Sequence, residues 1–234
     1  MVSILRNNYP ALVQFNACLL NVFIKLLYFP LGSGMIVLLE LARMFSRLYK
    51  SSKTQPSVNL VFLLSAGGKF NYFGTKKWLE SQLDSSSSSE LLSDVKFCLC
   101  LDAIGNVPFM SRASGQKENN DSSDSVLNMH VSKPPKEDSS SGRFFASLET
   151  LSQTITKKEP GKLESNRGLS VQFVHKKINL ADERLAWEHE RFSIRRLPAF
   201  TLSNVEAHDT LDRIPTILDR TVDVDMLGKY RYKI

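Results

Sequence analysis

Cysteine is scarce in this sequence, and its scarcity excludes a disulfide scaffold. Three cysteines in 234 residues are too few for the framework that holds small secreted domains together. Cys98 and Cys100 alternate within an apolar run, so both are predicted to face the same side of a strand. They also lack the second pair of ligands that a zinc site needs. We therefore interpret them as buried thiols.

Glycine, proline and excess charge are limited as well. Eleven glycines and nine prolines exclude a collagen-like chain, and a hydrophobic fraction of 42% excludes a wholly disordered one. The 30 basic and 24 acidic residues give a net charge of +6. Because the basic residues are scattered and form no stripe, nucleic-acid binding is not indicated. The length suits one α/β domain, or one domain with tails.

Several catalytic motifs are missing from the sequence. It contains no G-x-S-x-G nucleophile elbow, no Walker phosphate-binding loop and no H-E-x-x-H zinc motif. The pair Gly67-Gly68 is too short a glycine signal to indicate phosphate binding. Asn120 begins an N-glycosylation sequon, which favours a lumenal setting only weakly because such triplets also arise by chance.

Residues 1–31 differ in composition from the rest of the chain. Residues 11–31 are strongly apolar and about long enough to span a bilayer, but polar residues that include Lys25 interrupt them. Two interpretations stay open, a membrane anchor or a buried segment at an unusual start. We treat residues 32–220 as one α/β domain and residues 221–234 as a tail.

Hydrophobic patterning predicts alternating strands and helices in that domain, and hence a mainly parallel sheet covered by helices on both faces. Residues 111–125 have almost nothing apolar to bury and are predicted to form a flexible, protease-sensitive loop. The strands at 58–65, 95–101 and 197–202 are expected to be neighbours or near neighbours in one sheet. The other predicted strands cover 126–131 and 169–174, and the predicted helices begin at Gly32 and cover 74–83, 144–155 and 181–194.

Three places at the ends of predicted strands could hold functional groups. Asp102 follows a strand, where a carboxylate can bind a cation or cap a turn. His208 has Asp212 four residues later, but two such residues are too few for a zinc site. Gly67-Gly68-Lys69 is the third place. The charged run 187–191 is interpreted as a solvated helix face or an ion-pair network.

Several long segments are specific enough to compare with known families. They read, in chain order, LLELARMFSRLY, SAGGKFNYFGTKKWLE, FCLCLDAIG and HKKINLADERLAWEHERFSIRRLPAFTLSNVEAH. These segments resemble the nicalin family, the nicastrin-like membrane proteins of the endoplasmic reticulum. The resemblance covers residues 32–220, and residues 111–125 look like an insertion. It implies a zinc-aminopeptidase-like fold that is incomplete in this chain.

The same resemblance implies that the catalytic site is lost. Where active aminopeptidases have a general base, this sequence has Gly68, and where they have a zinc ligand it has Lys69. Asp102 and His208 match two remaining ligand positions, which could still meet in the cleft and weakly bind a single cation. We therefore expect no catalytic residue, no stoichiometric metal and no cofactor.

The implied function is that of a non-catalytic scaffold in an endoplasmic reticulum membrane complex, with this domain in the lumen. By resemblance, the partners are the Nodal modulator protein, a small multi-pass membrane protein and the translocon, and no nucleic acid. Such a complex assists the biogenesis of multi-pass membrane proteins, with possible modulation of Nodal-type signalling. The alternatives are a metal-dependent aminopeptidase and a receptor-like domain that binds peptide in the old substrate cleft.

Overall fold

Strands and helices alternate along the part of the chain that the structure describes. The structure is a computed structural model, and it describes residues 2–5, 32–68, 70–84, 92, 95–104, 125–157 and 169–208. The elements in chain order are β1 (Val2–Leu5), α1 (Gly32–Leu48), β2 (Leu60–Leu63), α2 (Phe73–Asp84), β3 (Cys98–Leu101), β4 (Ser125–Val131), α3 (Ser140–Lys157), β5 (Leu169–His175), α4 (His189–Ile194) and β6 (Ala199–Ser203).

The central sheet has four strands in the order β3-β6-β4-β5. Strands β3 and β6 are parallel, as are β4 and β5, whereas β4 and β6 run antiparallel with Asn128 opposite Ser203. Two of the three pairings are therefore parallel, which confirms the predicted mainly parallel sheet. The prediction that β3 and β6 are neighbours is also confirmed.

Helices cover both faces of this sheet, as predicted. Alternation along each strand sends one set of side chains to each face. One face is apolar and packs against α1 and α3. The other face is packed by α2 and α4, and it includes Cys98 and Cys100. The apolar face is built from Leu99, Leu101, Leu127, Met129, Val131, Phe200 and Leu202, which pack with Val37, Leu41 and Leu148 of the helices.

The two cysteines share a face, as the sequence predicts. Cys100 is buried and Cys98 is half-buried. Burial raises the pKa of the Cys98 thiol to about 12, so this group stays protonated at neutral pH. Both positions are therefore packing positions.

The prediction for residues 58–65 was wrong in its pairing. The strand formed there, β2, pairs antiparallel with β1 in a separate two-stranded sheet. It is not buried on both faces either, because the Val61 side chain is 38% exposed. Phe62 packs against the core on the apolar face of the central sheet, and Leu63 packs against the cluster on the other face that contains Cys100. A short apolar run thus gave a strand, but it did not determine the strand's partner.

The predicted helix at 181–194 is much shorter than expected. Only His189–Ile194 is helical. Upstream, the Asn179 side chain accepts a hydrogen bond from the Ala181 N–H, and the Asp182 N–H donates to the Asn179 carbonyl. Such local bonds from Asn and Asp stabilise turns in competition with a helix.

Other predicted elements lie within a few residues of the observed ones. The predicted apolar segment 11–31, the sequon at Asn120 and nearly all of the loop 111–125 fall outside the described residues, and Ser125 begins β4. Among the helices that the structure describes, none combines the length and the apolar character needed to cross a bilayer.

Candidate functional site

The less apolar face of the sheet contains the candidate site. Asp102 directly follows β3, is buried, and its N–H donates to the Leu202 carbonyl at 3.1 Å. Its carboxylate lies in a small pocket, here called the Asp102 pocket. The lining residues are Tyr72, Cys100, Leu101, Asp102, Glu188 and Thr201.

The first turn of α1 holds the segment that contains Asp102. The Ser33 hydroxyl, which is fully buried, accepts a hydrogen bond from the Ile104 N–H at 3.0 Å. Gly34 lies so close that a Cβ atom there would be 2.4 Å from the Leu101 carbonyl oxygen and 2.8 Å from that of Asp102. The position of Asp102 therefore depends on a glycine contact with α1.

Glu188, a half-buried residue, supplies a second carboxyl group to this pocket. One of its oxygens accepts hydrogen bonds from the Thr75 hydroxyl and from the Ser65 hydroxyl, the latter at 3.2 Å. Burial raises the pKa of Glu188. The hydrogen bonds from Thr75 and Ser65 oppose that shift, and the nearby charge of Asp102 adds to it. Sequence reasoning missed this residue, because the run 187–191 resembles a solvated helix face.

The loop that follows Gly68, the residue matched by resemblance to the aminopeptidase base, is held against residues 183–191 by hydrogen bonds of Asn71. Asn71 donates through Nδ2 to the Glu183 carbonyl at 2.7 Å and accepts from the Leu185 N–H at 2.9 Å. Its own carbonyl accepts from Arg191 Nε at 3.1 Å. Asn71 and Tyr72 have φ values of 56° and 55°, a left-handed conformation that is costly outside glycine. The hydrogen bonds offset that cost.

Tyr72 closes the Asp102 pocket from the side of this loop. Its side chain is 7% exposed, and its hydroxyl donates to the Ala186 carbonyl at 3.1 Å. Gly68, which has no side chain, closes the turn by accepting from the Tyr72 N–H at 3.1 Å. Lys69, the residue matched to a zinc ligand, lies outside the described residues.

His208 lies in a different pocket. The Lys176 ammonium is 2.9 Å from each of its ring nitrogens. Lys176 directly follows β5, and its N–H donates to the Val131 carbonyl at the carboxyl end of β4. Because β4 and β6 are antiparallel, that end of β4 is opposite the edge where Asp102 lies. The structure thus does not bring Asp102 and His208 into one site.

Two other histidines are packed on the same face and serve as structural residues. His130 stacks on Trp187 with ring centroids 3.8 Å apart, and its Nε2 is 2.8 Å from the Val205 carbonyl. His189 is 1% exposed, and its Nδ1 is 2.9 Å from the Thr201 hydroxyl. Burial, with a smaller effect of His130, lowers the pKa of His189 to about 3. The interpretation of 187–191 as a solvated face is therefore wrong for His189 and Glu190, which are buried.

The geometry does not fit a catalytic metal. Among the residues that the structure describes, no three His, Cys, Asp or Glu side chains are grouped so that they could hold a metal ion. The Asp102 pocket contains two carboxyl groups, and the rest of it is lined by Tyr72, Cys100, Leu101 and Thr201. We interpret it as a closed, hydrogen-bonded junction between the strand ends, α2 and the segment before α4.

Comparison with known proteins gives one consistent group of relatives. The chain is 48% identical to the BOS complex subunit ncln of Danio rerio over 197 residues, which are 84% of this chain and 30% of that protein. It is 49% identical to the BOS complex subunit NCLN of Mus musculus over 177 residues, covering 76% of this chain and 27% of that protein. It is 31% identical to nicalin of Caenorhabditis elegans over 210 residues, which are 83% of this chain and 32% of that protein.

The chain spans about 30% of the length of these curated relatives. No family model matches it. Among solved structures, it is similar to an aminopeptidase from Aneurinibacillus sp. strain AM-1, with a TM-score of 0.43 and 21% identity. That alignment covers 85% of this chain and 38% of the aminopeptidase chain.

Proposed function

The chain belongs to the nicalin family, of which it is a partial member, and from this premise we propose that it is a non-catalytic subunit of a membrane-protein complex. The observation that supports the proposal best is the closed Asp102 pocket. The buried Tyr72 side chain lines it, and by the family resemblance Gly68, on the same loop, takes the position of the base. Relatives named as subunits of the BOS complex support the role in an assembly.

Metal-dependent peptide hydrolysis requires ligands that hold the metal and a base that takes a proton from the attacking water. Gly68 cannot act as a base. Asp102 and His208 are in separate pockets, so they cannot share one ion as they are placed. These residues argue against the alternative of a metal-dependent aminopeptidase.

We also propose a cellular location and partners for this domain. We place the domain in the lumen of the endoplasmic reticulum, at its membrane. The partners there would be the Nodal modulator protein, a small multi-pass membrane protein and the translocon. In that setting the complex would assist the biogenesis and assembly of multi-pass membrane proteins, with a modulating effect on Nodal-type signalling. Support comes from the family resemblance and from the relatives' names as complex subunits.

Affinity purification from detergent-solubilised microsomes tests this proposal. The tagged 234-residue chain is expected to recover the Nodal modulator protein and translocon subunits in amounts that remain after a high-salt wash. A matched Asp102→Asn variant should recover the same proteins, because a scaffold does not need that carboxylate for chemistry. Recovery of neither partner by a folded, lumenal chain would refute the proposed assembly role for this chain.

A further inference from the structure

The pocket that contains His208 has a composition unlike that of the Asp102 pocket. It is open to solvent and is lined by the cationic residues Lys176, Lys177 and Arg184 together with His208 and Asn179. We call it the cationic pocket. It lies at the carboxyl end of β5, at the opposite edge of the sheet from Asp102.

Local structure brings these positive groups to one place. Lys176 is fixed at its backbone by the Val131 carbonyl, and its half-buried ammonium contacts the His208 ring. The turn that follows is held by Asn179, which donates to the Asp182 carboxylate at 2.9 Å and accepts from the Ala181 N–H. This turn brings the chain back so that Arg184 faces the same pocket as Lys177.

The acidic residues of the pocket do not balance these charges. Within the described ranges, neither Lys177 nor Arg184 forms an ion pair. Asp182 already accepts the Asn179 amide. Glu190 is only 3% exposed, accepts from the Ala186 N–H at 3.3 Å, and interacts electrostatically with Arg191. Among the described residues, three cations therefore surround an opening in which the carboxylate of Asp182 is the solvent-facing one.

His208 forms part of the wall of the cationic pocket. The Lys176 ammonium lies 2.9 Å from each of its ring nitrogens, so the imidazole and the ammonium are held side by side. Guanidinium, ammonium and imidazole N–H groups together are the donors that bind carboxylates and phosphates in proteins.

We propose that the cationic pocket is a binding site for a compact oxyanion, that is, a phosphate or carboxylate group of a ligand. Arg184 and Lys177 would meet the anion from the solvent side, with Lys176 and His208 beneath it. This site is distinct from the proposed scaffold role and does not rest on it. The same oxyanion chemistry occurs in free phosphate, in carboxylates and in anionic lipid headgroups.

Calorimetric titration of the full 234-residue chain with inorganic phosphate and with acetate tests the proposal, at a fixed ionic strength set with chloride. Flotation with phosphatidylcholine vesicles, with and without phosphatidic acid, separates a lipid headgroup from a free anion. We expect saturable one-site binding of at least one of these oxyanions, and we expect the double variant Lys177→Gln/Arg184→Gln to weaken it about five-fold or more.

The matched control is Arg47→Gln/Lys50→Gln, which removes the same charge from the exposed end of α1. It should keep the wild-type affinity within about two-fold, since screened charges outside the pocket contribute little. Equal weakening by both double variants would show a general charge effect and overturn the site. Absence of saturable binding by all three probes would overturn it too. Backbone amide shifts confined to residues 176–184 and 208 would locate the binding without relying on variants.

Discussion

Glu188 joins three parts of the chain through one carboxylate oxygen. Ser65 follows β2, Thr75 lies in the first turn of α2, and Glu188 precedes α4. Burial raises its pKa, so the ionised form is held at a cost. The variant Glu188→Gln keeps an acceptor oxygen and removes the charge. We expect its free energy of unfolding at pH 7 to equal or exceed that of the wild type.

The variant Glu188→Ala separates the hydrogen bonds from the charge. It removes the acceptor that the Thr75 and Ser65 hydroxyls share, so that one of them can bond only to the other at 2.7 Å, and we expect a loss of about 1–3 kcal/mol in urea unfolding. A matched control is Glu80→Gln, which removes the ion pairs with Lys76 and Lys77 on the surface of α2 and should cost clearly less than Glu188→Ala. If Gln and Ala at position 188 destabilise equally, the acceptor oxygen has no role in joining these elements.

His189 makes the stability of the domain depend on pH. Its pKa is about 3 in the folded chain, against 6.5 for an ordinary histidine in an unfolded chain, so between those values the unfolded chain binds more protons. The stability that it contributes is therefore present above pH 6.5 and falls as the pH drops toward 3. Between pH 7 and pH 5 we expect a loss of about 2 kcal/mol from this residue alone.

Urea unfolding at several pH values checks this prediction with two variants. His189→Gln can still contact the Thr201 hydroxyl and does not titrate, so its stability should fall by about 2 kcal/mol less than that of the wild type between pH 7 and pH 5. His175→Gln, at an exposed position, should keep the wild-type dependence. An unchanged pH profile in His189→Gln would show that this imidazole does not stay neutral in the folded chain.

At the scale of elements, the contact between α1 and the end of β3 is limited by Gly34. Any Cβ atom there would overlap the Leu101 and Asp102 carbonyl oxygens, both of which are backbone atoms and cannot rotate away. Gly34→Ala is therefore expected to destabilise the domain by about 1–3 kcal/mol through a forced shift of α1. Thermal unfolding measures it. Ser46→Ala, an exposed change in the same helix, should stay within about 0.5 kcal/mol.

The elements differ in how far the sequence predicts them. Helix α1 follows from apolar residues at three- and four-residue steps, a local signal that the structure confirms. The partner of β2 could not be predicted in this way, because pairing with Val2–Leu5 is a contact between distant segments. Residues 181–188 misled the helix prediction because Asn179 and Asp182 stabilise a turn.

In the candidate site, too, the sequence predicts what local patterns determine and misses what depends on contacts between distant segments. Asp102 is predictable as a candidate because its position follows directly from being the first residue after a buried strand. Glu188 was missed because its burial depends on hydroxyls that are 113 and 123 residues away in sequence. Its neighbours in sequence are charged, so a local pattern indicates exposure. The separation of Asp102 from His208 depends on the antiparallel register of β4 and β6, which no local pattern encodes.

For the whole molecule, the prediction with the most consequence is the absence of zinc peptidase chemistry. A two-metal hydrolase needs several ligands and a base in one cleft. The family resemblance implies that Gly68 takes the base position, and the two residues that it matches to ligands, Asp102 and His208, lie in separate pockets. Because a zinc site needs at least three protein ligands and no three are grouped among the described residues, we expect elemental analysis of the purified full chain to find well below one zinc per chain.

The same preparation should release no amino acid from aminoacyl reporter substrates, with or without added zinc. Asp102→Asn and His208→Gln variants are the matched controls, and both should leave metal content and the absence of activity unchanged, since the two side chains lie in separate pockets. Stoichiometric zinc together with chelator-sensitive peptidase activity that either variant abolishes would restore the aminopeptidase interpretation. In that case the two pockets would have to rearrange, and the rearrangement should be visible as a displacement of α4 or of residues 204–208.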